Sequence, residues 1–347
     1  MSGFNPATCI RFLLLLVVIP FAGCGRTDAN EVRVGFLPNL THSVPMIGEA
    51  RGMYDGVSTK PVRLVPFNAG PAAVEAMLAG DVDYVYCGPT PAINAFIRTN
   101  GHVRVLAGAA SGGAAFVVRG DLVADDLSVL RKARLASPQI GNTQDVALRN
   151  FLIENDLPTR DNGGKVMVVP MSNADILSMM RLGELDGAWV PEPWVSRLVD
   201  EAGGKVLLDE ATLWPEGKFP TTVLITRDSV LADRPEEEIA LVAANRAIVG
   251  WIRANSNQAR ELANAGLEKH AGKKLREPIL HSAWKRLSFT DDPLPAGLRE
   301  NARAARRIGY LPHSDIRGIM AVFPELPPPG TTPTPAPAPA PAKRKKR

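Results

Sequence analysis

The sequence is short of the residues that redox and metal chemistry draw on. It holds three cysteines and five histidines in 347 residues. Cys9 and Cys24 sit near the start, so Cys87 stands alone in the body and no disulfide is expected there. His42, His102, His270, His281 and His313 are scattered without metal-ligand spacing, and no metal is predicted. Neither a Gly-x-Ser-x-Gly elbow nor a Gly-x4-Gly-Lys-Ser/Thr loop occurs, so neither an enzyme nor a cofactor is expected. Aromatic residues make up 6%, too few for a base-stacking platform. The formal charge of +4 is not a property of the body, because Arg11 and Lys343–Arg347 hold more than the whole excess. A body that is close to neutral excludes nucleic acid as the expected partner.

Long apolar runs are also scarce. The longest, residues 12–23, falls below the ~20 residues that a membrane-crossing helix needs. Its length, the preceding Arg11 and the small residues at its end suit a signal peptide. The sequence Phe21-Ala22-Gly23-Cys24 resembles a bacterial lipobox, which makes Cys24 the candidate lipidation site and residues 1–24 a lipoprotein signal. Export and a lipid anchor on the membrane are the expectation. At the other end, residues 327–347 are rich in Pro and Ala and finish in five basic residues. That composition predicts an extended tail.

Between these ends, strand and helix patterns alternate. Apolar runs at Val32–Leu37, Val62–Phe67, Val82–Tyr86 and Val103–Ala107 are separated by helical stretches, including one that starts at Pro71 and stops at Gly80. Short loops between alternating elements imply parallel sheets covered by helices on both faces. A Gly/Ala/Ser stretch, Gly108–Ala115, is read as an interruption. The rhythm then resumes through residue 227 and turns mainly helical, with Trp251 and Trp284 facing inward. Met77–Asp83 recurs as Met180–Asp186, about a hundred residues on, far beyond the ~20–50-residue period of a solenoid. Each copy ends a helix at Gly, starts a strand and leads into a Pro-containing turn. The chain is therefore expected to form two similar lobes: residues 31–112 begin the first, 113–222 form the second, and 223–325 return to the first.

In such sheets, ligands sit beyond the carboxyl ends of strands, where helix starts leave N–H groups unpaired. Four loops qualify. Pro38–Ser43 offers Asn39, Thr41 and His42. Cys87–Thr90 offers Gly88, which lets a backbone approach, and Thr90, which either caps a helix or meets a ligand. Gln139–Asp145 crowds Gln139, Asn142, Thr143 and Gln144 at a helix start, with Asn142 and Asp145 near capping-box spacing. Trp189–Trp194 sets Trp189 and Glu192 in a Pro-stiffened turn, as an aromatic wall and one acid. Cys87, after an apolar strand, is expected to be a buried small residue.

The segments Val34–His42, Ala69–Pro71 through Asn94–Phe96, Gly141–Arg149 and Asp186–Trp194 together resemble ABC solute-binding proteins of the nitrate/sulfonate/taurine group. The resemblance covers about residues 31–325. It implies a two-lobe type II periplasmic-binding-protein fold, α/β with a mostly parallel sheet in each lobe. It also implies capture of a small solute by hinge closure and delivery to permease and ATPase subunits. It extends the expected ligand contacts to the crossover at Ser111 and Gly112. Sulfonates, nitrate or a taurine-like zwitterion are the expected solutes, with Glu192 free to meet an amine. Two other readings stay open: a pyrimidine or aromatic-acid binder (or a precursor-synthesis enzyme of the same fold), and a ligand-sensing module.

Overall fold

A computed structural model describes residues 30–123 and 126–322. The signal segment with Cys24 and the tail at 327–347 lie outside the described residues. Among those described, no helix is long and apolar enough to cross a membrane.

The first half of the chain runs β1 (Val32–Phe36), α1 (Ser43–Ala50), β2 (Val62–Pro66), α2 (Gly70–Ala79), β3 (Tyr84–Cys87), α3 (Pro89–Arg98) and β4 (Val103–Gly112). It crosses at Gly113 into β5 (Ala114–Arg119), β6 (Arg134–Ser137), α4 (Thr143–Glu154), β7 (Met167–Pro170), α5 (Asn173–Arg181), β8 (Gly187–Pro191), α6 (Trp194–Ala202) and β9 (Gly204–Asp209). It returns in β10 (Pro220–Arg227), α7 (Asp228–Asp233), α8 (Pro235–Ala254), α9 (Ser256–Ala271), α10 (Glu277–Lys285), β11 (Leu287–Phe289) and α11 (Pro295–Arg307).

Two separate sheets result, one per lobe. The first has the order β11-β4-β10-β3-β1-β2 and the second β7-β6-β8-β5-β9. β1, β2 and β3 pair in parallel, as do β6, β7 and β8. The strand by which the chain enters each lobe from the other runs the opposite way: β10 is antiparallel to β3 and β4, and β5 is antiparallel to β8 and β9. Both sheets are thus mixed, with a parallel half and an antiparallel half. A crossover strand enters its sheet from the side of the neighbouring lobe, so its direction is opposed to that of strands fed by helices.

Side-chain alternation puts apolar groups on both faces of each sheet. In β3, Tyr84 and Tyr86 join the core under α1, α8 and α9, while Val85 and Cys87 join the core under α2, α3 and α11. In β5, Ala115 and Val117 face α5 and α6, while Phe116 and Val118 face α4. Burial of each such Val or Phe stabilises by about 1.5–3 kcal/mol, which makes these double-faced strands the main source of stability. Cys87 is fully buried, and burial pushes its thiol well above its ordinary pKa. Trp251 and Trp284 pack on the first core, Trp251 beneath the Arg51 guanidinium at 3.9 Å.

The stretch Gly108–Ala115 does not interrupt the pattern. It is strand almost throughout, the end of β4 and the start of β5. Its small residues answer a packing demand rather than a turn demand: a Cβ on Gly108 would strike the backbone carbonyls of Thr290 and Asp292. At the crossover itself, Gly112 and Gly113 do take left-handed φ values of 79° and 73°.

The repeated segment gives each lobe the same bracket. Asp83 donates its N–H to the Arg33 carbonyl at 2.9 Å, and its carboxylate accepts the Arg33 N–H at 2.8 Å. Asp186 makes the matching pair of bonds with Arg134, both at 2.8 Å.

Candidate functional site

The two lobes meet with their helix starts facing each other. From the first lobe, Asn39, Thr41 and His42 follow β1, Asn68 and Gly70 follow β2, and Gly88 follows β3. From the second, Asn142, Thr143 and Gln144 follow β6, Asn173 follows β7, and Pro191 ends β8. Leu37 and Thr221 complete the lining of a cleft of about 30 Å³. That is room for about two waters, so the lobes are drawn close together.

Contact across the cleft is direct. The Thr90 N–H donates to Thr143 Oγ1 at 3.4 Å, joining the start of α3 to the start of α4. A Cβ on Gly88 would collide with the same hydroxyl. Gly141, with φ of 73°, lies so close to Tyr310 of the first lobe that any side chain there would overlap the phenol. Asp145 braces this turn. It accepts from Ser137 Oγ at 2.7 Å, from the Gly141 N–H at 3.1 Å and from Arg149 Nε at 3.0 Å. Asn142 makes no side-chain cap on α4, which leaves its amide to the cleft.

No lining side chain carries a charge. His42 is buried, and desolvation lowers its pKa to about 3, so the ring is neutral. Its Nδ1 accepts the Leu37 N–H at 3.3 Å, which places the proton on Nε2 as a donor. The Asn39 Oδ1 accepts the Leu40 N–H at 3.0 Å, which holds the amide in place. Helix starts supply further donors and a favourable dipole for negative charge. α4 contributes most of this, because α3 begins with Pro89 and Pro91, which have no N–H, and its Thr90 N–H is already engaged.

Of the residues singled out in sequence, Asn39, Thr41, His42, Gly88, Asn142, Thr143 and Gln144 line this cleft together. Six others lie elsewhere. Thr90 is fully buried in the first turn of α3, outside the lining, with its N–H on Thr143. Gln139 is half-buried outside the lining. Ser111 and Gly112 serve the crossover: Ser111 Oγ accepts the Phe219 N–H at 3.2 Å, and the Gly112 carbonyl accepts from Thr221 Oγ1 at 2.6 Å. Trp189 is not a cleft wall. As a strand residue it points to a sheet face, stacked on Phe116 at 5.7 Å, while Pro191 at the strand end reaches the cleft. Glu192 is fully buried and already engaged. Its carboxylate accepts from Ser196 N–H and Oγ at 3.1 and 2.9 Å and pairs with Arg286 of the first lobe at 3.3 Å. Burial outweighs these partners and raises its pKa to about 7. Asn68, Gly70 and Asn173 were missed, although they follow β2 and β7 by the rule applied to the other loops.

The sequence pattern of the NMT1-like family matches residues 25–266. The chain belongs to that family. A member-like relative from Brucella abortus (strain 2308), whose name calls it a binding protein, is 23% identical over 257 residues, covering 74% of this chain and 76% of its own. The fold is that of solved periplasmic binding proteins. The alkanesulfonate-binding protein SsuA from Xanthomonas axonopodis pv. citri superposes with a TM-score of 0.68 at 16% identity, over 83% of this chain and 96% of that one. The periplasmic nitrate-binding protein NrtA from Synechocystis PCC 6803 gives 0.66 at 15% identity, over 82% and 83%. In this chain the cleft described above occupies the seam between the two lobes.

Proposed function

We propose that this chain is the extracytoplasmic solute-binding component of an ABC importer. One observation carries the reading: loops that follow strands in both sheets converge on a single small cleft lined by amides, hydroxyls and a neutral imidazole. Such a lining binds and releases; it offers no nucleophile with a base and no charged acid–base pair, and capture rather than turnover is the function proposed. The lobes are residues 31–112 with the return after β9, and the intervening segment, hinged at Gly112–Gly113 and Phe219–Pro220. Permease and ATPase subunits are the partners. Cys24 is the proposed lipid attachment point and mature N-terminus, outside the cytoplasm; the apolar run at residues 12–23 that leads into it supports this reading.

The proposed solute is a small oxyanion, nitrate or a simple sulfonate. Helix starts and N–H donors without an opposing carboxylate favour one negative charge, and the absence of Arg and Lys from the lining disfavours two. A taurine-like ammonium loses its expected partner, because Glu192 is engaged by Arg286 and Ser196. The dense amides Asn39, Asn68, Asn142, Asn173 and Gln144 favour a second reading, a neutral pyrimidine whose ring edge they would pair. A thermal-shift panel of nitrate, ethanesulfonate, taurine, bicarbonate and a pyrimidine, followed by calorimetry of any hit, decides between them. One oxyanion per chain, recovered unchanged, is the expected result. A pyrimidine hit alone transfers the proposal to the second reading, and chemical conversion of the solute defeats both.

A further inference from the structure

A second cavity, of about 130 Å³, lies between the later turns of α4 in one lobe and α11 in the other. Its lining includes Glu210, which is 3% exposed. The Glu210 carboxylate accepts the Trp189 indole N–H at 2.7 Å, and the Trp214 indole lines the same cavity. Among the described residues, no Lys, Arg or His forms an ion pair with it, and the charge of Asp209 acts on it repulsively. Burial raises its pKa to about 7. A buried carboxylate held by one indole and no cation is costly to keep ionised, and nothing in the cleft chemistry uses it.

The surroundings are selective. Trp189, Trp214, Phe151 and Leu213 give apolar and aromatic surface, and Leu213 is 52% exposed at the mouth. Glu154 and Glu300 stand at the rim, paired with Arg307 and Arg303. With the rim glutamates already paired, Glu210 at the floor is the group that disfavours an anion. Metal ions lack a ligand set, since no three acidic, His or Cys groups converge among the described residues. An ammonium on a small apolar body meets every feature: a counter-charge at the floor, aromatic faces for the cation and apolar walls for the body.

We propose that this cavity is a binding site for a small organic cation, with Glu210 as its counter-ion. The proposal does not depend on what the interlobe cleft binds. It is tested on the full chain with phenethylammonium chloride as probe and phenethyl alcohol as its uncharged counterpart, by calorimetry and by tryptophan fluorescence. Binding of the ammonium should be at least about tenfold tighter than that of the alcohol, and Glu210→Gln should abolish the preference. Asn142→Ala, in the cleft, should leave it intact. The wild-type preference should also grow between about pH 5.5 and 8 as Glu210 gives up its proton, a readout that remains should the variant fail to fold. Equal binding of the two probes, no binding of either, or a preference that survives Glu210→Gln overturns the proposal.

Discussion

Asp83 in the first lobe and Asp186 in the second each clasp an Arg backbone at the foot of a parallel strand, yet their surroundings differ. Asp83 has a side chain 3% exposed, flanked by Arg33 at 3.5 Å and Arg234 at 3.3 Å. Asp186 is 29% exposed and has Arg119 at 3.5 Å. The two brackets do one topological job, and burial together with the second arginine partner sets how much energy each holds. The facing loops diverge further: the first lobe brings a neutral histidine and a glycine to the cleft, the second an amide cluster at a helix start.

That comparison is open to direct attack. The largest effect is expected at the buried bracket. Asp83→Ala removes the carboxylate shared by the Arg33 N–H and Arg234, leaving Arg234 to Glu237 alone, and should cost about 3 kcal/mol in urea unfolding, against about 1 kcal/mol for Asp186→Ala. Similar losses at both sites would show that burial is not the deciding factor. Next comes His42. Its folded pKa, near 3, lies below the unfolded 6.5, so the folded protein resists protonation. The stability it permits is complete above about pH 6.5 and declines as pH falls toward 3. Wild type should lose about 3 kcal/mol more than His42→Gln between about pH 7 and 4, with opposing contributions from other groups common to both chains. Parallel pH profiles for the two chains would contradict the assignment of a buried neutral ring.

A smaller effect separates closure from folding. Gly88 has an ordinary φ of −68°, so alanine fits its backbone, but the added carbon meets Thr143 only when the lobes are shut. Gly88→Ala should lower solute affinity by about tenfold while unfolding stays within about 0.5 kcal/mol of wild type. A large stability loss would instead make Gly88 part of the fold's own packing. The smallest effect is expected from the basic end: removal of Lys343–Arg347 should leave the solute Kd unchanged in calorimetry.

Much of this was legible in the sequence because periodicity reports burial. Strand–helix alternation and the Met77–Asp83 repeat announced two lobes, and the rule that ligands gather past strand ends singled out His42, Asn142 and Gln144, which come together in one cleft. The failures have physical causes too. Gly108–Ala115 looks like a linker by composition, but its small side chains exist to admit Thr290 and Asp292, which no local pattern reveals. Trp189 and Glu192 sit in a turn-like sequence, yet one residue of strand alternation sends the indole into the core. Arg286, ninety-odd positions away, claims the carboxylate. Long-range partners of this kind leave no trace at short spacing.

The central claim is that both lobes shut on one solute in an uncharged cleft. Small-angle X-ray scattering with the oxyanion that gives the strongest thermal shift, on wild type and on Gly88→Ala, tests it most directly. Wild type should become more compact on saturation, and the variant should stay expanded at the same solute concentration. Compaction of the variant to the wild-type dimension, or saturation of wild type with no change in dimension, would contradict the account.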